Sequence, residues 1–297
     1  MLGVGLCAAA RAADKFTVAT YNLEGYRLTA TETRPAKSPA ARAKARESIR
    51  ALHADVLALQ EVGGRDAFEE LQGSLKREGL DYPFGELVGG HDTNIHLAVL
   101  SRFPIARRQA YTNESFLLNG RRFHVGRGFA TLDIQVNPGY RFTLLTAHLK
   151  SRRASADAYE GDLRVEEAAL LRAIIDARLR AQPDLNLVAL GDFNDVRDSR
   201  SVRLLIGRGK TALLDTRPAE HNGDDQPNPT PYYPPRRITW THHFGKEDVY
   251  SRIDYILISR GMAREWNRAG TYVLAVPNWG VASDHRPILA SFEAEDQ

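Results

Sequence analysis

The stretch RIDYILIS, residues 252–259, alternates as a strand does, which sets Asp254 on the same face as Ile256 and Ile258. A carboxylate on an apolar face needs a partner, because an unpaired charge in the interior is costly. The stretch SDHRPI, residues 283–288, offers His285. A buried carboxylate that holds an imidazole fixes its tautomer and favours its protonated form. Other groups suited to chemistry fall at or just past the C-terminal ends of β-like runs: Asn22, Glu61, His148, Asp192, Asn194, Asp284 and His285 itself. Each is ordinary when taken alone. Asn22 reads as a turn residue, Glu61 as a solvated strand end, His148 as a hydrogen-bonded histidine and GDFND (191–195) as an Asx-rich turn. Their coincidence at corresponding strand ends points to a site. Within GDFND, Asp192 and Asn194 stand two apart and so point the same way, while Gly191 permits a close approach of backbone or substrate.

The elements that must position these groups are mostly strands. Short β-like runs cover 16–23, 55–62, 95–101, 128–136, 141–149, 186–193, 252–259 and 286–292. Three helical patterns intervene. Ser38 and Pro39 form an N-cap and N1 pair opening the first, with Ala41, Ala45, Ile49 and Leu52 on one face. The second starts near Asp66, and the third spans about 160–180 with Leu163, Ala168, Leu171, Ile174, Ile175 and Leu179 turned inward. Strands outnumber helices, which argues against a simple alternating parallel sheet. Two packed sheets flanked by helices fit better, an α/β arrangement of the α+β type. No internal repeat or interdomain linker is evident, so residues 13–297 read as one domain.

Composition bounds the partners. With 40 Lys+Arg against 37 Asp+Glu, the formal charge is +3, too small for bulk charge alone to hold a nucleic acid. Phosphate binding must therefore be local. The opening MLGVGLCAAARAADK is expected to be a truncated signal peptide over residues 1–12, ending in the small-x-small pattern of residues 10–12 but lacking a positive n-region; the bland alternative is a frayed apolar tail. Its removal takes Arg11 and the single Cys, leaving 39 basic against 37 acidic residues, a charge of +2, and no thiol for disulfides or metal. No later apolar run is long enough for a transmembrane segment. The expected location is periplasmic or secreted, and no stable protein partner is evident. Residues 216–237 hold six of the 14 prolines and cannot form a regular element. In this segment Tyr232, Tyr233, Arg236 and Arg237 suit contact with a phosphate-bearing substrate, or a solvated excursion of the surface.

Seven motifs then run in order along the chain: TYNLE, LQEV, AVLSRFPI, TAHLKSRR, GDFND, SRIDYILIS and SDHRPI. In this order they resemble the endonuclease/exonuclease/phosphatase superfamily, whose fold is that of deoxyribonuclease I. The resemblance implies a four-layered sandwich of two packed mixed β-sheets flanked by helices, and a metal-dependent phosphoric ester hydrolase. Glu61 resembles the carboxylate that binds the catalytic Mg²⁺ (Mn²⁺ being the alternative ion), with Asn22 beside it and Asp284 joining directly or through water. Mg²⁺ prefers such hard oxygen ligands and retained waters. His285 resembles the general base or phosphate-stabilising histidine, Asp254 the acid that orients it, Asp192 the residue that places or deprotonates the attacking water, and Asn194 a phosphate ligand. His148 matches a position carrying His or Tyr near the phosphate, and Lys150, following on the same face, would add a cation.

The family acts on DNA, RNA, sphingomyelin and inositol phosphates, so the fold cannot name the substrate. Local features lean towards an extended phosphodiester. NGRRFHVGRGF supplies Arg121, Arg122, His124 and Arg127, KSRR supplies Lys150, Arg152 and Arg153, and PPRRITW supplies Arg236, Arg237 and Trp240. Basic groups beside aromatics suit a nucleic-acid backbone and its bases. Among these, Lys150, Arg127 and Trp240 are the expected substrate contacts. A phosphoesterase for lipid headgroups or small phosphoesters is the alternative, against which counts the lack of an evident membrane-inserting apolar hairpin. A non-catalytic binding protein is disfavoured by the joint presence of Glu61, Asp192, Asn194, Asp254 and His285.

Overall fold

Strand alternation sorts the apolar residues into three layers, and those layers define the architecture. The computed structural model describes residues 14–221 and 237–295. The expected leader, and Tyr232, Tyr233 and Arg236 of the proline-rich segment, lie outside the described residues.

In chain order the first half comprises β1 (Lys15–Tyr26), α1 (Pro39–Leu52), β2 (Val56–Val62), α2 (Arg65–Arg77), β3 (Phe84–Val88), β4 (His96–Ser101), β5 (Ile105–Tyr111), β6 (Ser115–Leu118), β7 (Arg121–His124), β8 (Phe129–Asn137) and β9 (Tyr140–His148). The second half follows with α3 (Glu160–Ala181), β10 (Leu187–Asp192), α4 (Arg200–Ile206), β11 (Leu214–Asp215), β12 (Ala219–Glu220), β13 (His242–Phe244), β14 (Val249–Ser251), β15 (Asp254–Ile258), α5 (Arg260–Arg264), β16 (Trp266–Val273) and β17 (Ile288–Glu293).

One sheet has seven strands in the order β12-β16-β17-β1-β2-β4-β3; the other has six, β11-β15-β10-β9-β8-β5. Both are mixed, with β1 parallel to β2 and β9 parallel to β10 among antiparallel neighbours. Phe16, Val18, Phe142, Leu144, Val188, Leu190, Ile256 and Ile258 fill the space between the sheets. Tyr21, Leu57 and Leu59 pack outward against Ile49 of α1 and Leu71 of α2. Leu145, Ala189 and Leu257 pack outward against Leu171 and Ile175 of α3 and Val202 of α4. The result is the expected four-layered sandwich of two mixed sheets flanked by helices.

Local chemistry fixes the helix starts. The Ser38 hydroxyl accepts from the Ala41 N–H at 3.2 Å and Pro39 occupies the first turn of α1, a cap worth about 1 kcal/mol. The strands absent from the sequence reading are β3, β5, β16 and the short ones. β5 reads IARRQAY, lies at a sheet edge and exposes Arg107 and Arg108, so its pattern is that of a charged edge rather than a core strand.

Candidate active site

β9, β10 and β15 lie side by side, and their register sets His148 opposite Asp192 and Asp192 opposite Asp254. These three polar residues form one row across the sheet, each about 1% exposed. Parity decides which way the row faces. Leu144, Leu190 and Ile256 are inter-sheet core residues, so the even-numbered row points at the first sheet. There Asn22 shares the face of Phe16 and Val18, and its Nδ2 donates to Asp192 Oδ2 at 3.0 Å. Gly191 makes the row possible. At its φ of 137° a Cβ would lie 2.0 Å from the Ala147 carbonyl oxygen, so no other residue fits beside β9.

Asp192 is the hub. Its Oδ1 accepts from the Asn194 N–H at 2.8 Å, and its Oδ2 accepts from Asn194 Nδ2 at 3.3 Å. Asn194 adopts a left-handed φ of 54°, which Asn tolerates, and also donates to the Leu149 carbonyl at 3.0 Å. His148 Nε2 lies 3.5 Å and His285 Nε2 lies 3.7 Å from Asp192 Oδ2. On the other side of its ring, His285 Nδ1 is 2.9 Å from Asp254 Oδ2. The buried carboxylate on the apolar face thus has the imidazole it requires.

Asp284 and His285 do not follow a strand's C-terminal end, as the sequence reading had them. They precede β17, whose antiparallel run beside β1 brings them to the same end of the sandwich. Four backbone-linked contacts fix them there. Ser283 Oγ donates to the Asn22 carbonyl at 2.7 Å and accepts from the His285 N–H at 3.0 Å. The His243 N–H donates to the Asp284 carbonyl, and the Arg286 N–H to that of Thr241. Thr241 Oγ1 in turn accepts from the Asp254 N–H at 3.2 Å.

Burial and charge tune these groups. Burial, with Asp254 beside it, pushes the Asp192 carboxyl up to about 7 against the pull of His285 and the two asparagine donors. Burial opposes a charge on His285, but Asp254 and Asp192 outweigh it and raise the imidazole to about 10. His148 moves the other way, kept neutral by burial and by the nearby Arg127 and His285 charges.

Glu61 and Glu24 reach this end of the molecule by irregularity. Regular alternation would send Glu61 outward with Leu57 and Leu59, but the β2–β4 register shifts between Leu59 and Val62, and Glu61 has a φ of 62°. The β1–β2 register also shifts, between Asn22 and Tyr26, where Glu24 and Gly25 have φ of 46° and 73°. Bulges of this kind re-aim side chains beside active sites. Glu24 Oε2 accepts from the Asp284 N–H at 3.2 Å, and Glu24 and Glu61 repel each other electrostatically.

A family model described as the endonuclease/exonuclease/phosphatase family matches residues 19–285. The chain belongs to this family. No curated protein sequence matches it. The human nocturnin catalytic domain with bound sulfate is similar in structure at 16% identity and a TM-score of 0.64, covering 97% of both chains. Sphingomyelinase C from Streptomyces griseocarneus is 19% identical at 0.61, covering 95% of this chain and 100% of that one. Truncated Caenorhabditis elegans TDP2 is 16% identical at 0.63, covering 94% and 98%. As a member of the family, the chain is a metal-dependent phosphoester hydrolase.

The residues present suit a divalent ion. Asn22, Glu24, Glu61 and Asp284 supply hard oxygen donors. Among the described residues, no hydrogen bond or salt bridge holds the half-buried Glu61 carboxylate. Among the described residues, two groups of three each bring their potential ligand atoms within 4.8 Å of one another, His242–Asp284–His285 and Asp192–Asp254–His285. The second set joins the Asp192 hub to the His285–Asp254 pair already described, and neither set includes Glu24 or Glu61.

The expected substrate contacts are placed less uniformly. Arg127 is buried, and one guanidinium nitrogen donates to the Leu149 carbonyl that also receives Asn194. Lys150 differs from expectation. β9 ends at His148, so strand alternation does not extend to Lys150, and its ammonium donates to the Ser151 and Arg153 carbonyls at 3.2 and 3.0 Å. Trp240 is half-buried with the Arg286 guanidinium 3.4 Å from its ring centroid and Tyr250 and Trp279 against it. The hairpin of β13 and β14 exposes Phe244, Val249 and Tyr250, an apolar tip that the sequence reading did not find. Glu24, Lys37, Thr241, His242 and Ser283 were also missed. Of these, Glu24 at the end of TYNLE and Ser283 at the start of SDHRPI carried a sequence signal.

Proposed function

We propose that the protein is an exported Mg²⁺-dependent phosphodiesterase, a nuclease in its principal reading. The observation that carries the reaction is the Asp192 hub, which joins Asn22 of the facing sheet, Asn194, and the His285–Asp254 pair. In this reading Glu61, Asn22 and Asp284 hold the ion, and the ion when bound supplies Lewis acidity towards a phosphate oxygen. Asp192, raised by burial to near neutrality, takes the proton of the attacking water. The new P–O bond forms as the ester P–O bond opposite breaks. The imidazolium of His285, supported by Asp254, donates to the phosphate oxygen on which charge grows. Asn194 and neutral His148 orient the phosphate as hydrogen-bond donors.

A polymeric nucleic acid is favoured by buried Arg127 next to the row and by the aromatic group of Trp240, Tyr250 and Trp279 near His285. A phospholipid-headgroup substrate is the second reading. It draws on the exposed Phe244, Val249 and Tyr250 of the hairpin and on the likeness to a sphingomyelinase fold. The test is one panel: metal-stripped protein reloaded with Mg²⁺, Mn²⁺ or Ca²⁺, against plasmid DNA, RNA, bis-p-nitrophenyl phosphate and sphingomyelin vesicles. The expected result is Mg²⁺-dependent cleavage of nucleic acid and of the aryl diester. Cleavage of vesicles alone replaces the first reading with the second, and hydrolysis undiminished by EDTA removes the metal.

A further inference from the structure

Lys37 is a half-buried residue for which no sequence pattern gave a role, with its side chain 7% exposed. It sits just before the cap of α1, its backbone N–H anchored on the Arg27 carbonyl at 3.0 Å. Its ammonium donates to the Glu24 carbonyl at 3.0 Å and stands 4.0 Å from Glu24 Oε2. Glu24, Asp284 and Glu61 all act on its charge, and no other described group hydrogen-bonds to the ammonium. Lysines are seldom buried without a paired charge. Here the surrounding charge includes the two carboxylates that read as metal ligands, Glu61 and Asp284, with Glu24 adjoining them.

We propose that Lys37 is a resident counter-cation that restricts this carboxylate set to a single divalent ion and sets the affinity for it. The proposal rests on the divalent-metal reading of the site. Glu24, Glu61 and Asp284 bring three negative charges; Lys37 offsets one of them, Arg27 acts on Glu61 and on Lys37, and the imidazolium of His285 stands 3.7 Å from Asp284. Without Lys37 the set is more negative by one charge, which would hold the first ion more tightly and favour a second. Ligand charge count tunes the affinity of oxygen-donor sites over orders of magnitude, and charges at such separations still interact strongly when half-buried. Glu24 completes the argument. Its bulged backbone supplies the carbonyl that holds the ammonium, and its carboxylate caps the Asp284 N–H, so one residue fixes both the cation and a neighbouring acid.

The probe is Mn²⁺, titrated into the metal-stripped full-length chain and followed by the electron paramagnetic resonance of the free ion. Wild type is expected to take up one Mn²⁺ per chain. Lys37→Met should bind the first ion about tenfold more tightly, or take up a second. Lys37→Arg should return to the wild-type isotherm, and Glu24→Gln should shift affinity the opposite way, to weaker binding. Circular dichroism confirms that each variant is folded, and the Glu24→Gln arm stands if Lys37→Met is not. Lys37→Met with wild-type stoichiometry and affinity overturns the proposal. Wild type that takes up no Mn²⁺ overturns instead the metal reading beneath it.

Discussion

Asp192 and Asp254 are cross-strand partners on β10 and β15, and a single imidazole serves both. His285 lies 2.9 Å from Asp254 through Nδ1 and 3.7 Å from Asp192 through Nε2. Two carboxylates side by side repel, and burial sharpens the repulsion. The imidazolium offsets it; Asp254 holds the ring, and in the proposed reaction Asp192 takes the proton of the attacking water.

Asp254→Asn should therefore be nearly as damaging as His285→Ala, with each losing about 10²–10⁴ in kcat. The amide favours the wrong tautomer and withdraws charge support. Because the residues act as a unit, the double variant should resemble the worse single one. Rates and urea midpoints of the three variants check this; fully multiplicative losses would show that the two side chains act separately.

The same pair predicts a pH dependence of stability in the metal-free protein. The folded imidazole is raised to about 10, above its ordinary value of 6.5, so its contribution is full below 6.5 and lost as pH rises through about 10. The gap in urea midpoint between wild type and His285→Ala should be widest near pH 6 and narrow steadily towards pH 10. A gap of constant width would mean that the charge of the ring does not stabilise the fold.

Glu61→Gln keeps the size of the side chain and removes its charge. No described group pairs with this carboxylate, so folded stability should change by less than about 0.5 kcal/mol. Divalent-ion affinity and turnover should both fall. Isothermal titration with Mg²⁺ alongside thermal unfolding separates the two effects, and unaltered Mg²⁺ affinity would remove Glu61 from the ligand set.

Gly191→Ala tests the frame rather than the chemistry. A methyl group 2.0 Å from the Ala147 carbonyl oxygen forces β9 and β10 apart, and the φ of 137° is closed to alanine. The expected cost is about 3 kcal/mol or more, read from urea unfolding. If the variant folds, its Asp192–His148 row is displaced and its activity should drop with its stability.

The row of His148, Asp192 and Asp254 was legible because period-two alternation survives intact along three core strands, leaving polar residues on faces otherwise apolar. Glu61 was legible as a motif residue, and its place beside Asn22 came from the family resemblance and not from the strand pattern. Its placement depends on a bulge with left-handed backbone, and no apolar pattern encodes that. Lys37 lies in an irregular segment before a helix, where spacing says nothing about direction. β5 and β16 escaped for a different reason: edge strands carry charged or half-exposed faces, so their alternation is blurred.

The hydrogen bond from Asn22 to Asp192 spans 170 residues of chain, and that from Ser283 to the Asn22 carbonyl spans 261. Contacts so distant in sequence form late, after the loop entropy of the whole chain has been overcome. His285 must be synthesised and released before it can meet β1, so a nascent chain that stops short of SDHRPI lacks both the imidazole and the Ser283 bond to β1. The centre is therefore completed only by the last of the seven motifs to be made.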